Sequence, residues 1–277
     1  MKRWLTVFAA VALCSAVLRA DITIVQTTSI EGGMAAMAPG ANTSSKSTTS
    51  IKGMKERREM SGGPISVTTI VDMAGKQIIV LRPDQKTATI VSPAKPPVTG
   101  TTSPVTPPVS VSVDSAVTPT GKSQVIDGLK CDEYTFTTTM DLSGFGGAQA
   151  PPEAAAMLQG IKMKVAGSMW VTKDAPGAAE YTAFQKSSAT SDMTAAAMGA
   201  AGMSMPGMEK MIKAMGSVDG LPYLSEMTMN VEGSGQIADM MKQMGAMKII
   251  TKVNSVSVDP ISDDLFKVPE GYTVVKQ

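Results

Sequence analysis

Apolar and polar residues alternate with a period of two along most of this chain, the pattern of half-buried β-strands. "DITIVQTTSI" (21–30) alternates strong β-formers with polar positions. The Thr/Ser-rich "TSSKSTTSIKG" (43–53) and the charged "MKERREM" (54–60) keep the same period. Three shorter runs follow: "PISVTTIVDM" (64–73), "KQIIVLRP" (76–83) and "KTATIVSP" (86–93). "SGG" before Pro64, "AGK" after Met73 and "PDQ" at 83–85 are turn signals. Strands joined by such short turns become antiparallel neighbours, so this third of the chain is predicted to be a meander.

The alternation returns in "SQVIDGLKCDEYTFTTTM" (123–140), with a turn at Asp127-Gly128. It continues in "IKMKVAGSMWVT" (161–172), "LPYLSEMTMNVEG" (221–233) and "AMKIITKVNSVSVDP" (246–260). "DDLFKVPEGYTVVKQ" (263–277) follows, with a turn at Pro269-Glu270-Gly271. Helical spacing appears in three places. Residues 179–193 begin one helix. Met208, Met211, Ile212 and Met215 form an apolar stripe at spacings of three and four. Met240, Met244 and Met247 repeat that spacing around "QIADMMKQMG" (236–245). Three stretches break the pattern: "GGMAAMAPGAN" (32–42), residues 92–121 and "GFGGAQAPPEAAAMLQG" (144–160). The Pro/Thr-rich segment 92–121 reads as an extended or disordered loop, because its prolines favour polyproline-like chain. No repeat of fixed period is evident.

Composition adds a compartment. Lys2 and Arg3 precede the apolar run 4–18, and "RA" leads into Asp21, which is the layout of a secretory signal peptide cleaved near Ala20. The run is too short for a comfortable membrane span, although an uncleaved anchor is the alternative. Leu13 before Cys14 argues against lipidation, which needs a small residue there. The chain is therefore expected to be exported, periplasmic or extracellular, as one domain over 21–277. Within it lie the insert 92–121 and a Met/Ala-rich helical insert over 179–216.

Charge and chemistry narrow the function further. Of 25 basic residues, Lys2, Arg3 and Arg19 leave with the signal, against 24 acidic ones, for a net charge near −2. No basic excess exists to hold nucleic acid, and membrane association is expected to be peripheral at most. His is absent, which removes the commonest general base and most zinc and copper(II) sites. Aromatics make up 4 % of the chain, too few for a surface that stacks sugars. Cys131 would be the one remaining cysteine, so no internal disulfide is expected; near the register of Tyr134 and Phe136 it reads as a small buried hydrophobe. Asp263 and Asp264, or Asp132 and Glu133, are nominal carboxylate dyads, but adjacent strand residues point to opposite faces. "GFGG" (144–147) lacks the strand–helix context of a phosphate loop. Trp170 and Tyr272 read as packing anchors. No catalytic residue and no cofactor are expected, and the chain reads as a non-enzyme.

Methionine is the one residue type in excess, with 23 in the chain. "MTAAAMGAAGMSMPGMEKMIKAMG" (193–216) concentrates them, and Met203, Met205, Met208 and Met211 could supply soft thioether ligands to copper(I). Yet Met34, Met37, Met54, Met60, Met73, Met227 and Met229 lie far outside that stretch. Its companions are Ala and Gly, and no His or Cys accompanies it. An adaptable apolar helix covering a hydrophobic site therefore fits the segment better.

Several local motifs, in their order, resemble the LolA/LppX-type lipoprotein-carrier superfamily and its exported relatives. "VIDGLKCDEYTF" (125–136) resembles a G-x-x-C-x-x-Y hairpin, and "SMWVTKD" (168–174) a strand ending in an aromatic, a Val and an acidic turn. "GLPYLSEMTM" (220–229) resembles a G-x-P strand opening, and "ISDDLFKVPEGYTVVK" (261–276) a terminal F-x-x-P-x-G-Y strand. The resemblance covers about half of the chain beyond Ala20. It implies an α+β fold: a strongly curved antiparallel sheet, an unclosed β-barrel, with a few helices packed on its concave side. It also implies a cavity for a hydrophobic ligand, lipid or lipoprotein acyl chains. Candidate cavity residues are Met208, Met211, Ile212, Met215, Trp170, Met240 and Met244. The carriers' Arg-based latch has no evident counterpart here, and Arg57, Arg58 and Arg82 are candidates by residue type alone. A structural or interaction module with no ligand is the remaining alternative.

Overall fold

The computed structural model describes residues 21–32, 44–62, 66–92, 113–142, 158–189, 208–243 and 245–276. The expected signal peptide, most of the inserts at 32–42 and 144–160, and Met193–Met205 lie outside the described residues.

The predicted meander forms. β1 (Ile22–Gly32), β2 (Ser44–Lys52), β3 (Lys55–Ser61), β4 (Val67–Asp72), β5 (Gln77–Arg82) and β6 (Thr87–Val91) pair in succession, all antiparallel. The β4–β5 turn uses its anticipated residues: Lys76 takes a left-handed backbone angle, and the Gly75 N–H donates to Asp72 Oδ1 at 2.7 Å; between β5 and β6 the left-handed residue is Lys86, one past the expected 83–85 turn. The second half adds β7 (Val113–Ile126), β8 (Leu129–Asp141), β9 (Lys162–Thr172), β10 (Leu221–Glu232) and β11 (Met247–Ser257). Asp127 and Gly128, at φ 48° and 84°, make the β7–β8 hairpin turn, where both central residues need positive φ. Among the described residues there are three α-helices: α1 (Ala178–Ala189), α2 (Met208–Gly216) and α3 (Gln236–Gln243).

Among the described residues all strands join one curved twelve-stranded sheet in the order β12-β6-β5-β4-β3-β2-β1-β11-β10-β9-β8-β7. The two halves meet at its centre, where β1 pairs with β11 from Thr23↔Ser257 to Gly32↔Met247. The sheet ends in two different edges and does not close into a barrel. One expectation is corrected: the sheet is mixed. β12 (Thr273–Lys276) lies parallel to β6, from Thr273↔Thr87 to Lys276↔Ile90. The chain leaves β11 at the sheet centre and crosses half its width, forming a 3₁₀ turn at Asp263–Phe266, before it reaches that edge. A segment that crosses the sheet is free to arrive in either direction, unlike a hairpin partner.

β7 begins at Val113, inside the segment 92–121 read as a loop, and its residues 113–119 pair with β8. Pro119 is tolerated there because β7 is an edge strand, where a missing N–H goes unnoticed; the pairing shifts register between Pro119 and Ser123.

Alternation along the strands divides the core between two faces. On one face the register Arg57↔Ile70, Ile70↔Ile79 and Ile79↔Ile90 sets a row across β3–β6. Ile70, Ile79, Leu81 and Ala88 are buried there under Ile261 and Phe266 of the crossing segment. Arg57 Nη1 donates to Leu265 O at 2.9 Å and Lys52 Nζ to Ile261 O at 2.6 Å, tying that segment down. The Asp21 carboxylate accepts the Ile261 N–H at 2.6 Å, so the residue before β1 clasps the same segment.

The other main cluster joins α1 to the sheet centre. Ala178 and Phe184 of α1 are buried with Ile22 and Ile24 of β1, Ile51 of β2, Leu221 and Tyr223 of β10 and Val253 of β11. Farther along the strands, Phe136, Met140 and Val165 are buried with Met163, Met227 and Met229 partly buried around them.

Candidate functional site

The residues that could bind something gather where α1 and α2 meet the sheet. Thr182 of α1 anchors the arrangement: its hydroxyl donates to Ala178 O at 2.8 Å and accepts the Gly220 N–H at 2.9 Å. Gly220 opens β10 at φ 123°, and a Cβ there would lie 2.7 Å from Thr172 O and from Val171 Cγ1. Only glycine lets β10 start this close to the end of β9. The "GLP" opening seen in the sequence thus brings helix, β9 and β10 together.

A cavity of about 180 Å³ lies at this junction. Its apolar wall comes from Met169 of β9, Met215 of α2, Val218 after α2 and Pro222 of β10. Its polar wall comes from Arg58 of β3 with Tyr181 and Gln185 of α1. Arg58 Nη2 sits 3.0 Å from Glu56 Oε1, two residues away on the same strand face. The Glu56 carboxylate raises the Arg58 pKa above the usual guanidinium value, while desolvation works against it. Desolvation also pushes the Tyr181 phenol up to about 12; the nearby Arg58 charge opposes the shift and Glu56 adds to it. At neutral pH the site therefore holds a cationic guanidinium and a neutral phenol. Next along the chain from the lining residues Gln185 and Val218, Lys186 of α1 bonds Asp219 at 2.5 Å and lowers its carboxyl pKa.

The positions named from sequence separate clearly. Met215 lines the cavity. Trp170 packs against the α1 cluster, and its neighbour Met169 is the β9 residue that faces the cavity. Met240 is 56 % exposed on α3 and is no part of this cavity. Met208, Met211 and Ile212 belong to α2 by backbone, but their side chains lie outside the described ones. Met244, Met203 and Met205 lie outside the described residues, which leaves the copper(I) set without a geometry. Of the three arginines, Arg57 holds the crossing segment, Arg58 lines the cavity, and Arg82 ends β5 away from both. Sequence reasoning did not single out Met169, Tyr181 or Gln185 for the site. The "EYTAFQK" spacing, with Tyr181 and Gln185 four apart on α1, was the available signal for two of them.

The nominal carboxylate dyads do not converge. Asp132 accepts from Ser123 Oγ at 2.5 Å, whereas Glu133 meets Thr120 Oγ1 at 2.8 Å and Lys122 at 3.4 Å. Asp263 pairs with Lys52 at 3.1 Å and Asp264 with Lys267 at 2.7 Å. Cys131 is fully buried, and burial raises its thiol pKa, the opposite of what a reactive thiolate needs. Tyr272 packs with the crossing segment. Among the described residues no three His, Cys, Asp or Glu side chains gather as metal ligands, and no helix is long and apolar enough to cross a membrane.

Compared with protein-family models and with curated proteins, the chain matches none.

Proposed function

We propose that the chain is an exported, non-enzymatic envelope protein on the LolA/LppX-like half-barrel plan. In this reading the helices lie on the concave side of the open sheet. They cover a site for a hydrophobic ligand, the acyl chains of a lipid or lipoprotein. The observation that carries the reading is the cavity between α1, α2 and the sheet, with Met169, Met215, Val218 and Pro222 along one wall. Methionine suits such a wall because its unbranched, polarisable side chain adapts to ligands of variable shape. Each methylene that enters gains about 0.8 kcal/mol from leaving water.

Size sets how the ligand is held. A cavity of about 150 Å³ accommodates a molecule the size of benzene. The 180 Å³ here admits the end of an acyl chain, and a longer ligand displaces α2 or extends along the sheet. The partly buried Met163, Met227 and Met229 offer an apolar path for that extension.

Native mass spectrometry of the exported, processed chain tests the proposal. Co-purifying lipid masses that disappear on delipidation are the expected result. A chain that stays at its apo mass through every gentle preparation, and takes up no added lipid, would overturn it.

A further inference from the structure

We propose that the ligand of this cavity is an anionic single-chain amphiphile whose carboxylate or phosphate head is bound by Arg58. The inference rests on the hydrophobic-ligand reading and names the chemistry of the polar end.

Two adjacent arginines on β3 make the case by contrast. Arg57 is 14 % exposed, and its guanidinium is engaged by Glu59 at 2.6 Å and by Leu265 O at 2.9 Å. Its role is structural. Arg58 points to the opposite face, where its side chain is 48 % exposed and lines the cavity. Its partner Glu56 is only 13 % exposed, so the pair presents its cationic half to whatever enters. Among the described residues the guanidinium meets Glu56 through Nη2 and makes no other ion pair. A guanidinium has five N–H donors in a planar fork, so one contact leaves most of its capacity for a second anion. That fork matches carboxylate and phosphate oxygens two at a time.

The surroundings agree in sign. Tyr181 brings a phenol O–H that stays protonated well into the alkaline range, and Gln185 brings an amide. Both can donate to an oxyanion beside Arg58. Met169, Met215 and Val218, which line the same cavity, take the first methylenes of the chain. A neutral hydrocarbon would displace water from the cavity-facing side of the guanidinium and offer no acceptor in its place, which is costly. An anion with a tail satisfies both walls at once.

Calorimetric titration of the processed chain tests this, with dodecanoate, methyl dodecanoate, dodecyl phosphate and inorganic phosphate as probes. Hydrogen bonds to a charged group contribute about 1.5–3 kcal/mol, so the charged chains should bind about tenfold or more tighter than the ester. Inorganic phosphate alone should show no binding, and the tighter of the two charged chains identifies the head. In Arg58→Gln the advantage over the ester should vanish, and Arg58→Lys should keep part of it. Thermal unfolding is followed alongside: Arg58→Lys keeps a cation beside Glu56 and should match the parent, whereas Arg58→Gln leaves that largely buried carboxylate without its partner and should melt lower while still folding cooperatively. Equal affinity for acid and ester in the parent, or an unchanged preference in Arg58→Gln, would overturn the head-group assignment while leaving the hydrophobic site standing. Failure of every chained probe, the ester included, would overturn both.

Discussion

Phe184 is the side chain through which α1 is fastened to the sheet, and Phe184→Ala tests whether that fastening stabilises the whole fold. The ring is 1 % exposed and clusters with residues of β1, β2, β10 and β11, four strands adjacent in the sheet interior. A buried aromatic covers roughly 150–250 Å², worth about 4–6 kcal/mol at about 25 cal/mol per Å². Truncations of this kind cost about 3–5 kcal/mol, the lower values where neighbours collapse into the gap. Little collapse is available here, because the ring's neighbours Ile22, Ile51, Leu221 and Val253 are held by strand pairing on both sides. We therefore expect a loss of about 4 kcal/mol, near a thousandfold in the unfolding constant. Equilibrium urea unfolding measures it with two probes. Far-ultraviolet dichroism follows the sheet. Fluorescence follows Trp170, which packs against this cluster and is the only tryptophan in a chain starting at Asp21. The two transitions should shift together. A shift below about 0.5 kcal/mol would refute the argument, placing Phe184 among surface-like positions. A fluorescence transition that separates from the dichroism would refute it differently, showing that α1 detaches while the sheet stands.

Other perturbations probe other parts of the fold. In Gly167→Ala the new Cβ would collide with the Glu226 carbonyl of β10 and come within 2.8 Å of Met227 Cα and 2.9 Å of Phe136 Cζ. The backbone of β10 cannot yield, so the variant should lose about 3 kcal/mol of stability, and Phe136→Leu should not restore it; restoration would show that the ring was the obstacle. Arg57→Ala should speed amide exchange across 261–276 and cost about 1.5–3 kcal/mol, with unaltered exchange there counting against its role in holding the crossing segment. Tyr181 has a folded pKa raised from 10.0 to about 12, chiefly by burial, so its neutral form is the one the fold favours. That contribution is complete below pH about 10 and fades as pH climbs through about 12. Stability should therefore fall less steeply over this interval in Tyr181→Phe than in the parent, and parallel curves would sink the assignment.

Local patterns carried most of the secondary structure. Period-two alternation and short apolar runs bounded by turn signals located the first six strands and β8 to β11 to within a few residues; β5, buried on both faces, is the continuous run IIVL. The stripe Met208–Met215 became α2, and "QIADMMKQ" became α3. What alternation could not supply was long-range register. Choosing Met169 over Trp170 for the cavity needs the phase of β9 against β8 and β10, which no local spacing records. Arg57 and Arg58 looked alike for the same reason. β12 was legible as a strand, but its parallel pairing with β6 depends on where the chain goes after Phe266. At Val113–Pro119 the prolines of the preceding stretch masked a strand, because composition averages over a boundary that an edge position makes permissible.

The pairing of β1 with β11 also bears on when the protein can fold. Thr23 lies beside Ser257, and along this seam the two runs of antiparallel strands become one sheet. β1 to β6 can form from their own local hairpins, but the seam must wait until β11 is present, and closing so long a loop delays it. Until then β1 and β11 are raw edges, each able to recruit a stray strand. A chain emerging vectorially, from a ribosome or across a membrane, would thus carry its future centre as its most vulnerable border. It gains a protected interior only once β11 has arrived.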